Sequence, residues 1–140
     1  MADETGEIDA WLYSALSTDA TLNPLIGNRV YPDLAPEGTA FPYVVYSVPN
    51  GTDMNSIGMQ RNTTTVSYVV SVYGRNDGFA DLQTITSRID TIIQGSRHIG
   101  VAVNWKVARR SPWTRLTEFK SDTRYPRLFA TFGVTAQPVY

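Results

Sequence analysis

No cysteine occurs in the 140 residues, and there is a single histidine, His98. The first absence excludes disulfides, Cys-ligated zinc, iron–sulfur clusters and a thiol nucleophile. The second leaves Asp and Glu as almost the only metal ligands, and no metal or cofactor is expected. No apolar run approaches the roughly 20 residues that cross a bilayer, so no membrane partner is expected. The opening M-A-D-E-T-G-E is acidic and lacks the basic-then-apolar profile of a secretory signal. A soluble, cytoplasmic chain is the expectation. Phosphate-binding loops and dinucleotide fingerprints are missing too, since the glycines fall in hairpins and at a helix end.

Catalytic groupings are equally scarce. His98 stands between Arg97 and Ile99 at the start of a strand, and no strand–turn–helix elbow marks Ser96 as a nucleophile. A lone histidine at a strand end reads as structural or solvent-facing, and no enzyme is expected. Positive charge is almost absent from the first 53 residues, where eight acids face only Arg29, for a net −7. Residues 106–140 reverse this, with seven bases against Glu118 and Asp122, for +5. Two solvated faces of opposite sign would explain the pattern. So would a chain whose negative and positive sides pack head-to-tail on copies of itself.

What is present reads as one domain over residues 1–140. Ile8, Trp11, Leu12, Ala15 and Leu16 form a helical stripe. Asp3, Glu4, Glu7 and Asp9 crowd its start, where the helix dipole favours negative charge. A short turn of helix is expected after Asp19. Three prolines (Pro32, Pro36, Pro42) then hold a connector extended. Strand one, Pro42 to Val48, is apolar on both sides, which suits a strand covered by helices on one face and by a partner or loop on the other. Residues 49–62 read as a long loop.

Strand two, Thr63 to Tyr73, alternates Val66, Tyr68, Val70 and Val72 against polar residues. A second helix, Phe79 to Gln94, places Phe79, Leu82, Ile85, Ile89, Ile92 and Ile93 together. Strand three spans Ile99 to Val107, and strand four Arg127 to Ala136, with a basic and aromatic segment between them. The order helix-strand-strand-helix-strand-strand predicts an α+β fold. Two helices would pack on one face of a roughly four-stranded, mainly antiparallel sheet.

Two segments stand out as candidate interfaces. Arg109, Arg110, Trp113 and Arg115 combine residue types enriched at protein–protein hot spots. Similar mixtures bind single-stranded nucleic acid, but a pI near 5.7 argues against a dedicated binder. Met54, Ile57 and Met59 would be costly to expose on a loop, and either fold back or form an adaptable contact. Asp3, Glu4 and Glu7 are the acidic counterparts.

The connector G-N-R-V-Y-P-D-L-A-P-E-G from Gly27, running into F-P-Y-V-V-Y-S from Phe41, resembles the tail completion or tail terminator proteins of long-tailed phages. The strand ending V-Y-G at Gly74, the helix opening F-A-D-L at Phe79 and the last strand R-L-F-A-T-F-G-V-T-A from Arg127 also fit that pattern. The resemblance implies a virion structural protein of the tail-neck region, assembled in the host cytoplasm. It would form a homo-oligomeric ring, usually a hexamer, that caps the major tail tube protein and ends tube polymerisation. The ring would offer a surface to the head–tail connector or stopper protein, and DNA would pass through its lumen without being read. A head–tail joining or neck protein that meets mainly the connector is a close alternative. A small nucleic-acid- or ligand-binding module is a more distant one.

Overall fold

The computed structural model describes residues 4–55, 61–74, 79–94, 97–99, 103–120 and 123–138. Helix α1 (Glu4–Ser17) buries Ile8, Leu12 and Leu16, the side its 3.6-residue period gathers. Helix α2 (Asn23–Ile26) is a single turn. It follows a turn in which the Asp19 carboxylate accepts the Leu22 N–H at 2.8 Å and the Thr21 N–H at 3.2 Å. Gly27 ends it with φ at 59°, a left-handed geometry glycine adopts without a Cβ penalty, and donates its N–H to Asn23 O. Helix α3 (Phe79–Ile93) buries Leu82, Ile85, Ile89 and Ile93.

The strands are β1 (Val30–Pro32), β2 (Tyr43–Asn55), β3 (Arg61–Tyr73), β4 (Arg97–Ile99), β5 (Val103–Arg109), β6 (Thr114–Lys120) and β7 (Thr123–Pro138). They make one sheet in the order β1-β2-β3-β7-β5-β4, with β6 also on β7. Among the pairings, β1 with β2 is parallel and the rest are antiparallel. One edge of β7 pairs with β3. The other is divided, with β5 on Phe132–Pro138 and β6 on Thr123–Phe129. Residues 110–113 span the gap. There Arg110 N–H donates to Thr131 O at 2.8 Å, and the Ser111 hydroxyl accepts the Thr131 N–H at 3.0 Å. A side-chain oxygen thus satisfies a backbone donor where the strand ladder breaks.

Strand alternation sends Val66, Tyr68, Val70 and Val72 of β3 to the same face as Leu128, Ala130, Phe132, Val134 and Ala136 of β7. Val44, Tyr46, Trp105 and Val107 join them. All three helices lie on this face, α3 over β3 and β7 and α1 against β1 and α3. Tyr68, only 1% exposed, keeps its polar tip satisfied by donating its hydroxyl to Asp9 Oδ1 at 2.6 Å.

The α+β class, with helices on one side of a mainly antiparallel sheet, holds. The expected counts of two helices and four strands do not, since three helices and seven strands are present among the described residues. Residues 49–62 are not a loop throughout: β2 runs on to Asn55 and β3 begins at Arg61, as a two-stranded arm. The register shifts between Ser47 and Asn50, and that irregularity accommodates Pro49, which has no N–H to give the ladder. Strand three is two strands, β4 and β5, and Ile99 is exposed. The basic segment before the last strand contains β6, because β7 is longer than expected and needs a partner for its first half. Strand β1 is a short parallel edge inside the connector.

Candidate functional site

Opposite the helices, the sheet presents a face on which no described helix packs. The register fixes its rows: Tyr43, Tyr73 and Arg127 form one, Val45, Ser71 and Phe129 the next, and Ser47, Val69 and Thr131 a third. This face is unusually aromatic. Tyr43 stacks on Tyr73 with ring centroids 5.1 Å apart, Tyr31 meets Tyr43 edge-on at 6.4 Å, and Phe41 lies 5.1 Å from Tyr43 and 5.5 Å from Tyr125. Such pairs add to the burial energy of the rings themselves. Arg127 spans the row, its guanidinium 5.4 Å from the Tyr73 ring and 4.9 Å from the Phe129 ring, and donates from Nη2 to the Ser71 hydroxyl at 2.9 Å. It remains half-buried with its charge on the sheet surface.

Further cations share the face. The Arg110 side chain occupies the space that a Cβ on Gly133 would fill, so the glycine leaves room for it to lie on the sheet. Lys106 and Arg97, opposite each other in the β4–β5 pairing, line a hollow of about 300 Å³ with Thr63, Asn104, Thr135 and Gln137. Among the described side chains, the strand positions of this face carry Arg97, Lys106, Arg110 and Arg127 and no carboxylate. The acids whose side chains are described lie on α1, on α3, in the turn before α2 and in the connector. Bases on the helix side are already engaged there: Arg88 with Asp19, Arg109 with Asp90, and Arg115 over the Phe79 ring at 5.3 Å.

The structure does not gather the sequence-selected basic residues into one patch. Arg109, opposite Phe132, and Arg115, opposite Leu128, fall on the helix side, whereas Arg110 crosses to the other. Trp113 is half-buried, its ring edge-on to Phe132 at 6.1 Å and its indole N–H donating to Asp90 Oδ1 at 3.2 Å. Glu7 is half-exposed on α1. Asp3, Ile57 and Met59 lie outside the described residues, as do the side chains of Glu4 and Met54.

Sequence reasoning missed the aromatic face and one connector residue. Leu34, between Asp33 and Ala35, is 83% exposed. The signals were there: strand one is apolar on both sides, and Leu34 is a large apolar residue in an otherwise turn-forming D-L-A-P-E-G run. Nothing in this arrangement resembles a catalytic centre. Among the described residues, no three acidic or histidine groups cluster as metal ligands would, and no helix is long and apolar enough to cross a membrane.

Comparison with known proteins gives the fold and the family. A chain solved as part of the "Virion of native gene transfer agent (GTA) particle" shares the fold, with a TM-score of 0.71 over 96% of this chain and 99% of that one, at 21% identity. No curated protein matches the sequence. The family model described as "Tail completion protein gp17" matches residues 10–125, most of the chain. The protein therefore belongs to the tail completion protein gp17 family, phage tail structural proteins rather than enzymes.

Proposed function

We propose that the protein forms a homo-oligomeric ring, a hexamer, at the head-proximal end of a phage tail. There it caps the tube, ends polymerisation of the major tube protein and offers its other side to the head–tail connector or stopper. The observation that carries this reading is the separation of two unlike surfaces on one subunit. A cationic, aromatic sheet face without a helix lies on one side, and acidic helices and connector lie elsewhere. Two different patches that fit each other generate a heterologous contact, and such contacts close into rings. Family membership supports the same role. The ring sits at the tail-neck junction of the virion, and DNA passes its lumen without sequence readout.

The test combines multi-angle light scattering with negative-stain microscopy of the purified protein, with and without tube protein. Ring-shaped particles and capped tubes of limited length are expected. A strictly monomeric protein that leaves tube ends free and growing would sink the proposal.

A further inference from the structure

The connector between β1 and β2 presents an apolar knob without burying it. Leu34 projects at 83% exposure, yet the backbone beneath it is held. Asp33 N–H donates to Tyr46 O at 2.8 Å, Leu34 N–H to Pro32 O at 2.7 Å, and Thr39 N–H to Pro36 O at 3.2 Å. Asp33 itself sits at φ 61°, a left-handed geometry that Asp tolerates better than most residues. Pro32 and Pro36 fix φ on either side. A preorganised apolar residue loses little freedom on docking, which is the main cost of an adaptable contact.

We propose that this connector, residues 33–38 with Leu34 at its tip, seats on the helix-free sheet face of a second copy of the chain, around Val69. The inference rests on the ring reading above and specifies its subunit contact. Val69 lies in the row between Ser47 and Thr131, with Phe129 in the adjoining row and Arg110 over Gly133 beyond it. Val69 is thus an apolar point between the hydroxyl residues Ser47 and Thr131, bracketed by the charges of Arg127 and Arg110. The connector carries the opposite charge: Asp33 and Glu37 flank the Leu34 region, both exposed, with no base among residues 33–38. Complementary sign selects the partner and the orientation, and the buried Leu supplies the affinity. The knob of one subunit engages the face of the next and leaves its own face free for a third. The contact therefore propagates head-to-tail until it closes. Each joint can be modest in strength, because closure makes the last one intramolecular.

The absence of native cysteine makes the test direct. A Leu34→Cys, Val69→Cys double variant, oxidised after assembly, should give an intermolecular disulfide ladder up to the ring size. Each single variant should lack that ladder. A disulfide needs the two Cα atoms within about 7 Å, so its formation locates the contact. Leu34→Asp should weaken association at least about tenfold, since an apolar anchor is replaced by a desolvated charge, while the monomer folds as before. Ring-sized particles that never cross-link in the double variant, or that form normally with Leu34→Asp, would overturn this contact and leave the ring itself standing. A wild-type protein that stays monomeric on tube ends would remove both. If Arg110→Glu abolishes retention on short duplex DNA while Leu34→Asp assembles normally, the face serves nucleic acid and this contact is wrong.

Discussion

Arg88 grips Asp19 at two points, Nε donating to Oδ2 at 2.9 Å and Nη2 to Oδ1 at 2.8 Å. The pair ties α3 to the turn that starts α2, and the same carboxylate accepts the Leu22 and Thr21 N–H groups. The Arg88 hydrogen bonds, helped by those backbone donors, hold the Asp19 carboxyl down at about 2, against an ordinary 3.8. A depressed carboxylate stabilises the fold above its unfolded pKa, and that contribution is lost as pH falls through the folded value. Acid unfolding should therefore steepen as pH drops from about 3.8 toward about 2. Asp19→Asn should flatten stability over that window, and it should lower stability at neutral pH because Arg88 loses its ion-pair partner. Urea midpoints measured across the pH range decide it. A variant with the wild-type pH profile would show that this pair does not set acid stability.

Tyr68→Phe should destabilise by about 1–2 kcal/mol, because Asp9 loses a donor inside a packed interface between α1 and β3. The ring still fills the core, so packing is kept. Urea denaturation should show a lower midpoint with an unchanged slope.

Charge reversals at neighbouring positions should separate stability from assembly. Arg109 Nη1 donates to Asp90 Oδ2 at 3.1 Å, and Asp90 also receives the Trp113 indole N–H. Arg109→Glu would set two carboxylates against each other and lower monomer stability by about 1 kcal/mol. Arg110→Glu should leave stability within about 0.5 kcal/mol, a typical surface effect, while weakening the positive charge of the sheet face. Arg109→Glu should therefore lower the thermal melt and leave light scattering of the assembly little changed, and Arg110→Glu should do the reverse. Reversing Arg109, Arg110 and Arg115 together would mix the two effects.

Gly133→Ala places a methyl where Arg110 now lies. The guanidine arm is flexible and should swing away, at a cost under about 1 kcal/mol. Arg110→Ala should remove most of that cost, so a double-mutant cycle on unfolding free energy should give a coupling of at least about 0.5 kcal/mol. Strict additivity would show that the two positions do not share space.

The core was legible in the sequence wherever one period ruled a whole element. The stripes of α1 and α3 and the alternation of β3 and β7 name most of the buried core, with Leu22, Ile26, Val44 and Trp105 supplied by other elements. Reading failed where local chemistry and tertiary pairing disagree. Pro49, Asn50 and Gly51 signal a loop, yet a bulge lets β2 continue through them against β3. The R-L-T-E-F-K run of β6 has no strong strand pattern of its own and is extended because β7 offers it an edge. The basic cluster misled for a different reason. Arg109, Arg110 and Arg115 are neighbours along the chain, but pleat and strand break assign them to different sides. The aromatic sheet face is spread over residues 43–45, 69–73 and 127–131, so only the register of three strands assembles it.

The break between β5 and β6 places four residues, 110–113, opposite the two of Ala130 and Thr131. The surplus is even, so Lys106 and Leu116 keep the same parity on either side of it. Lengthening or shortening this joint by two residues should preserve which side chains look outward. Changing it by one would invert all of β6, turning Leu116 inward and Arg115 outward. Natural variation in its length, wherever it occurs, should come in pairs.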